Sequence, residues 1–423
     1  MQIIENKKIK EKLYIEKLDN GLTVMMLPKK TNKKYVVWSA NYGSIDNKFY
    51  APGEDVLTKV PDGIAHYLEH KLFEQENGKN SLDVLTSLGV EANAYTTNDH
   101  TAFLIECTEN YDEALDEFMD YVQKPYFTDE NVNKERGIIE QEIMMYDDDP
   151  GWVLYINALK CLYKNNEINI DTAGDCETIQ AIDKDKLYKI YNSFYRPNNM
   201  VMVLVGNFEP ERDFQKIKDR MIMQKVIDEA KRVYNEEPKE IVQNYISQGM
   251  NISMPIAMVA YKDNDLKDNK IKKDIAIFII GNVLFGKTSK FYEKLYEEGK
   301  LSIPCGAMYE YSKTFAHVLI QVQSNYLDDV LNEIESTIKE AKENGISEED
   351  FIRSKKSVYG ELVSQYNDVD TIATNFVQDY FKGANSFDYF NEFENVTKEY
   401  VEEVLRSLLL EENKAVSVIE NIK

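Results

Sequence analysis

The chain has 423 residues, of which 50 are Lys or Arg and 74 are Asp or Glu, a formal charge of −24. That excess of acid excludes a nucleic-acid binder, whose surface must neutralise phosphates, and a polybasic membrane-surface protein. Hydrophobic residues at 43% and charged residues at 29% are those of a globular chain, long enough for more than one domain and without an apolar run that spans a bilayer.

Met1 to Lys17 is charged throughout and lacks the apolar stretch of a signal peptide, which predicts a cytoplasmic location. Leu22–Met26 and Val36–Ala40 read as strands. Helical periodicity follows over 63–78, 111–124, 129–147 and 184–194, and a strand, Met200–Val205, closes on Gly206. Residues 209–245 are rich in charge, carry Pro210 and Pro238, and read as a helix and then a linker.

The second half repeats the order. A strand at Ile256–Tyr261 precedes an apolar helix near 271–285 and a strand at His317–Val322. Helices near 327–344, 348–365, 368–382 and 397–410 lead to a last strand, Ala415–Ile419. The shared order predicts an α+β fold of two domains built alike, residues 1–225 and 246–423, joined by a linker over 226–245. Cys107, Cys161, Cys176 and Cys305 are scattered, with no C-x-x-C, and predict neither a disulfide framework nor a cysteine zinc site.

Two of the four histidines fall in His66-Tyr67-Leu68-Glu69-His70. Pro61 and Asp62 just before make a plausible helix start, with the Asp62 carboxylate as cap. On a helix, positions i, i+3 and i+4 share a face, so His66, Glu69 and His70 converge: two imidazoles for a borderline-soft cation and a carboxylate beside them. This is the H-x-x-E-H order of inverzincins. A catalytic zinc takes three protein ligands and keeps one position open, so a third must come from another element. The helix 129–147 supplies it. Val132, Glu135, Ile138, Ile139, Glu142, Met145 and Tyr146 share one face, an apolar stripe interrupted by two glutamates, while Glu140 points the other way. Buried carboxylates need a partner, which predicts Glu142 as third ligand of one Zn²⁺ and Glu135 as the carboxylate that orients a ligating histidine.

These motifs, with Gly43-Ser44-Ile45-Asp46, Asn93-Ala94-Tyr95-Thr96 and Tyr195-Arg196-Pro197-Asn198-Asn199-Met200, resemble the pitrilysin and mitochondrial-processing-peptidase family of zinc metallopeptidases. Glu69-His70-Lys71-Leu72-Phe73-Glu74 and Tyr146-Asp147-Asp148-Asp149-Pro150 are similar to its bacterial YmfH-like branch. The resemblance implies two homologous α+β domains forming a clam-like chamber for peptides. It implies zinc on His66, His70 and Glu142, Glu69 as general base, and a substrate strand pairing with the main chain of Asn93, Ala94, Tyr95 and Thr96.

One departure stands out. Single-chain members of the family carry an Arg and a Tyr in the second domain that complete the site. The matching positions here hold Tyr296, with no cation, and Ile303, with no hydroxyl; within this chain Tyr309 or Tyr311 would have to reach in instead. The expectation is therefore a zinc-bearing subunit that works with a homologous partner, or a second copy, supplying the missing pair. Two other readings compete. Gly281-Asn282-Val283-Leu284-Phe285-Gly286-Lys287-Thr288 fits the phosphate-loop pattern G-x-x-x-x-G-K-[ST] and would make a nucleotide-binding protein, although Val283, Leu284 and Phe285 suit a buried helix end better. A non-catalytic assembly subunit is the other.

Overall fold

The computed structural model describes residues 1–222 and 228–422; the predicted boundary between residues 225 and 226 lies outside them. The chain opens with β1 (Gln2–Asn6), β2 (Glu11–Lys17), β3 (Thr23–Pro28) and β4 (Lys34–Ala40), then the short β5 (Lys48–Tyr50) and β6 (Leu57–Lys59). Helices α1 (Ile64–Leu72) and α2 (Ser81–Ser87) lead to the hairpin β7 (Glu91–Thr96) and β8 (Thr101–Cys107). Next come α3 (Tyr111–Gln123), α4 (Asp129–Asp147), α5 (Pro150–Leu162), α6 (Lys184–Phe194), β9 (Met200–Gly206) and α7 (Pro210–Arg220). After β10 (Lys231–Arg232), the second half runs β11 (Tyr245–Met250), β12 (Ile256–Lys262), α8 (Lys270–Phe285), α9 (Lys290–Glu297), β13 (Met308–Tyr311) and β14 (Ala316–Gln323). It ends with α10 (Leu327–Asn344), α11 (Glu348–Ser364), α12 (Val369–Lys382), α13 (Asp388–Asn395), α14 (Lys398–Leu408) and β15 (Lys414–Asn421).

The two large sheets share a topology. One is ordered β1-β2-β3-β9-β4-β8-β7, the other β11-β15-β12-β14-β13. Reading β3-β9-β4-β8-β7 against β11-β15-β12-β14-β13, each begins with its single parallel pair and continues antiparallel. The protein therefore consists of two homologous α+β domains. β10, β5 and β6 form a small separate sheet.

Compact grouping divides the chain into one unit of Met1–Ile143, Asp171–Tyr234 and Gln365–Ser386, and another of Met144–Ile170, Asn235–Ser364 and Phe387–Lys423. Each unit thus includes a helix from the other half of the sequence, α12 in the first and α5 in the second, where the sequence alone suggests contiguous domains. The strand patterns explain what these helices do. In the first sheet Val24, Met26, Val36, Trp38, Met202 and Leu204 enter one core together with residues of α1 and α3. The alternate residues Met25, Val37, Val201, Val203 and Val205 are buried too, and the face they form is where α12 packs on β4 and β9. In the second sheet Ala257, Val259 and Tyr261 belong to the inner core, while α5 packs on β12 and β15. Strands covered on both faces read as unbroken apolar runs, as Met200–Val205 does.

Several local expectations change. The helix predicted over 63–78 stops at Leu72, because an Asn77-Gly78 turn, Gly78 at φ 78°, folds the chain back before α2. Asp62 does not cap it: its carboxylate accepts from Asn47 Nδ2, and the cap position is Gly63 at φ 84°. A Cβ there would stand 2.2 Å from the Ala173 carbonyl oxygen, so only glycine lets the 171–174 loop approach the start of α1. Asp149 caps the helix α5, for which no helical pattern was read in the sequence, by accepting from Trp152 N–H, with Pro150 at the first helical position. Gly281 lies inside α8, where a Cβ would meet the Ala307 nitrogen at 2.4 Å, and Phe285 is fully buried. The phosphate-loop pattern is therefore the end of a packed helix and presents no cradle of backbone N–H groups. Among the described residues no helix is long and apolar enough to cross a membrane.

Candidate metal centre

The helix α1 is buried almost all round, with Tyr67, Leu68 and Leu72 in the core of the first unit. Tyr67 also donates its hydroxyl to the Val132 carbonyl, which ties α1 to the first turn of α4. That anchoring brings the two predicted helices together at the right height. His66 Nε2 stands 3.5 Å from Glu142 Oε1, and His70 Nε2 stands 3.2 Å from Glu142 Oε2. The ligand atoms of His66, His70 and Glu142 all lie within 4.8 Å of one another, the one such grouping found among the described residues. Donors around four-coordinate zinc at about 2.0–2.2 Å stand roughly 3.3 Å apart, close to the two His–Glu separations of 3.5 and 3.2 Å. The residues fit the metal.

Electrostatics agree with the geometry. Burial pulls the His70 imidazole down, but its hydrogen bonds with Glu135 and Glu142 overcome this and raise it to about 10. Glu142 is held well below the usual carboxylate range by its hydrogen bonds with His66 and His70. The carboxylates around His70 therefore favour positive charge on its ring. His70 Nδ1 lies 3.1 Å from Glu135 Oε1, and donating there leaves the Nε2 lone pair facing Glu142.

Glu135 has a second tether that the sequence did not disclose. Lys71, fully buried, places its ammonium 3.5 Å from Glu135 Oε2 and pairs on its other side with Glu74. Burial would raise the Glu135 carboxyl, but the His70 hydrogen bond and the Lys71 charge hold it low. Glu140, as expected, faces away and accepts from Gln180. The apolar stripe of α4 is narrower than predicted. Val132, Ile139 and Ile143 are buried, whereas Ile138 and Met145 are half exposed or more, so the buried seam runs beside the two glutamates and does not enclose them.

Glu69 sits on the same face of α1, 6% exposed, and burial raises its carboxyl. Its Oε2 accepts from Thr96 Oγ1 at 2.6 Å. Thr96 ends β7, which among the described residues is the edge strand of its sheet and pairs only with β8. Thr97 N–H bonds inward to the His100 carbonyl, so by alternation Tyr95 and Asn93 also face β8, and Ala94 and Thr96 turn their main-chain groups to the open edge. The Asn93 side chain accepts the Ala94 N–H. Of the four residues Asn93–Thr96, Ala94 and Thr96 thus present main-chain groups to the open edge while Asn93 and Tyr95 turn theirs to β8, and Thr96 is the one that touches Glu69.

Residues 58–175 match the family described as Insulinase (Peptidase family M16), and residues 181–358 match the Peptidase M16 inactive domain. A relative from Bacillus subtilis, the uncharacterized zinc protease YmfH, is 36% identical over 95% of both chains. The chain belongs to the M16 peptidase family. A solved structure from Alicyclobacillus acidocaldarius, described as an M16-like peptidase, superposes with a TM-score of 0.92 at 30% identity and covers 99% of this chain and all of its own. A protease from Helicobacter pylori shares the fold, with a TM-score of 0.82 at 19% identity over 97% of this chain and all of its own.

Within this M16 chain the two departures noted in sequence stay exposed. Tyr296 is 60% and Ile303 72% accessible. Tyr309 and Tyr311 are engaged inside the second unit, the first donating to Asp263 Oδ2 and the second facing the Tyr389 hydroxyl.

Proposed function

We propose that this chain is a zinc-dependent metalloendopeptidase acting on short or unfolded peptides. The observation that carries the reading is the aim of His66 Nε2 and His70 Nε2 at the two oxygens of Glu142, with Glu69 beside them. His66, His70 and Glu142 hold the metal, and Glu135 orients His70. When bound, zinc supplies Lewis acidity to the scissile carbonyl and lowers the pKa of water to near 7. Glu69 takes the proton of the attacking water and returns it to the leaving amine; burial, by raising its carboxyl, brings that group nearer the range a general base needs. The outward main-chain groups of Ala94 and Thr96 pair with an extended substrate, by strand addition at the open edge of β7.

The exposed Tyr296 offers no cation where the Arg is expected and Ile303 no hydroxyl where the Tyr is expected, which supports a catalytic subunit whose missing Arg and Tyr come from a homologous partner or a second copy. The four free cysteines support a cytoplasmic location, and residues 1–225 and 246–423 are the proposed homologous halves. The test is zinc content by elemental analysis beside peptide cleavage, with and without a candidate partner. About one zinc per chain, absent in a His66→Ala/His70→Ala variant, and a Glu69→Gln variant that keeps zinc while losing roughly 10²–10⁴ in rate, are expected. No metal in the wild-type chain after zinc is offered, or full activity in Glu69→Gln, would overturn it. The latter result would also distinguish a non-catalytic subunit.

A further inference from the structure

We infer that Thr96 is a positioning residue that couples the substrate strand to the general base, an inference that rests on the reading of Glu69 above. Along β7 side chains alternate between faces. Ala92, Ala94 and Thr96 share the face toward α1; the two alanines pack against the core of the first unit, and Thr96 brings the one hydroxyl of that row. It is given to Glu69 Oε2 at 2.6 Å. A hydroxyl has one proton, so Thr96 fixes which carboxylate oxygen is the acceptor and leaves Oε1 to take the proton of water.

The same residue turns its N–H and carbonyl to the open edge. Its strand end is held from behind, since Ser44 N–H donates to the Thr97 carbonyl, Ser44 Oγ donates to Asn98 and Thr97 N–H to His100. An incoming peptide that pairs with Thr96 therefore settles on a residue whose side chain already grips the base. Substrate register along β7 and the orientation of Glu69 are set by a single residue. No other described side chain donates a hydrogen bond to Glu69 among those the structure defines.

Thr96→Val keeps the shape and the strand preference of the side chain and removes only the donor; Thr96→Ser keeps the donor. The expected result for Thr96→Val is a fall in kcat of roughly 10- to 100-fold, the scale of a hydrogen bond to a charged group. KM stays within about twofold and zinc content is unchanged, because main-chain pairing and the ligands are intact. Thr96→Ser should restore kcat to within a fewfold of wild type, a recovery that a merely structural role of the β-branched side chain would not give. In a Glu69→Gln background the valine change should add nothing. Wild-type kcat in Thr96→Val, or equal losses in the valine and serine variants, would overturn the inference while leaving an inactive Glu69→Gln, and hence the peptidase reading, untouched. A fully active Glu69→Gln would instead remove the reading on which it stands.

Discussion

Each unit of the molecule holds a histidine against a glutamate, and the two pairs have opposite characters. In the first, His70 meets Glu135 through Nδ1 and turns Nε2 toward Glu142, with His66 in edge contact at a ring separation of 4.6 Å. In the second, His317 is fully buried, its Nε2 lies 3.0 Å from Glu310, and its Nδ1 lies 3.0 Å from the Tyr163 hydroxyl. Tyr155 donates to the same Glu310 oxygen. Both nitrogens of His317 are thus closed by protein groups, whereas His70 keeps one nitrogen in a cluster where a second histidine and a carboxylate converge. A histidine–glutamate pair is not in itself a site. What distinguishes the first is that its remaining donor atoms point at one place.

The sharpest way to break this contrast is to neutralise the two glutamates in turn. Glu135→Gln should weaken zinc binding about 10- to 100-fold, the usual penalty for losing the partner of a ligating histidine, whereas Glu310→Gln should leave it unchanged. Competition with a chelator reads both, and equal losses would erase the distinction. Next in size is the stability of the sealed network. His317→Gln leaves Tyr163 and Glu310 poorly matched in a buried place and should cost about 1–3 kcal/mol, seen as a lower denaturant midpoint with full zinc content.

The smallest effect concerns another tie in the second unit. Glu237 accepts the backbone N–H groups of Lys164, Asn165 and Asn166 and pairs with Lys262 at 2.7 Å. Burial would raise its carboxyl, but Lys262 and the backbone N–H groups outweigh burial and lower it. A carboxylate whose folded pKa lies below its unfolded value of about 4.3 adds stability above that pH and loses it as pH falls through the folded value. The gap in thermal midpoint between wild type and Glu237→Gln should therefore be widest near neutrality and close progressively below about pH 4. A gap that widens on acidification would reverse the sign assigned here.

The grouping of His66, His70 and Glu142 was largely legible because its parts are local. H-x-x-E-H puts three side chains on one helical face within five residues, and Glu135 and Glu142 stand two turns apart on one helix. What periodicity misjudged is telling: Ile138 and Met145 looked like core and are exposed, since the period of a helix fixes which residues share a face but not how wide the covered stripe is. The capping role assigned to Asp62 failed for a related reason. Gly63 is required by the approach of Ala173, a residue 110 positions away, and no local pattern carries that information. Asp149 and Pro150 did announce α5, as a cap and a first-turn proline, and the signal was obscured by the acidic run before it. Lys71 and Thr96 lay in plain view as letters, yet their roles depend on which helix and which strand lie opposite.

The helices α5 and α12 bear on how the chain is made. The first sheet acquires its last central strand when β9 is complete at Gly206, but the helix that covers its second face begins only at Val369. About 160 residues separate the two, roughly 10–30 s of synthesis at ordinary ribosome speeds. Through that interval the apolar row of Val201, Val203 and Val205 has no native cover, so the N-terminal half emerges as a sheet with one wet face and cannot finish folding before most of the C-terminal half has been translated.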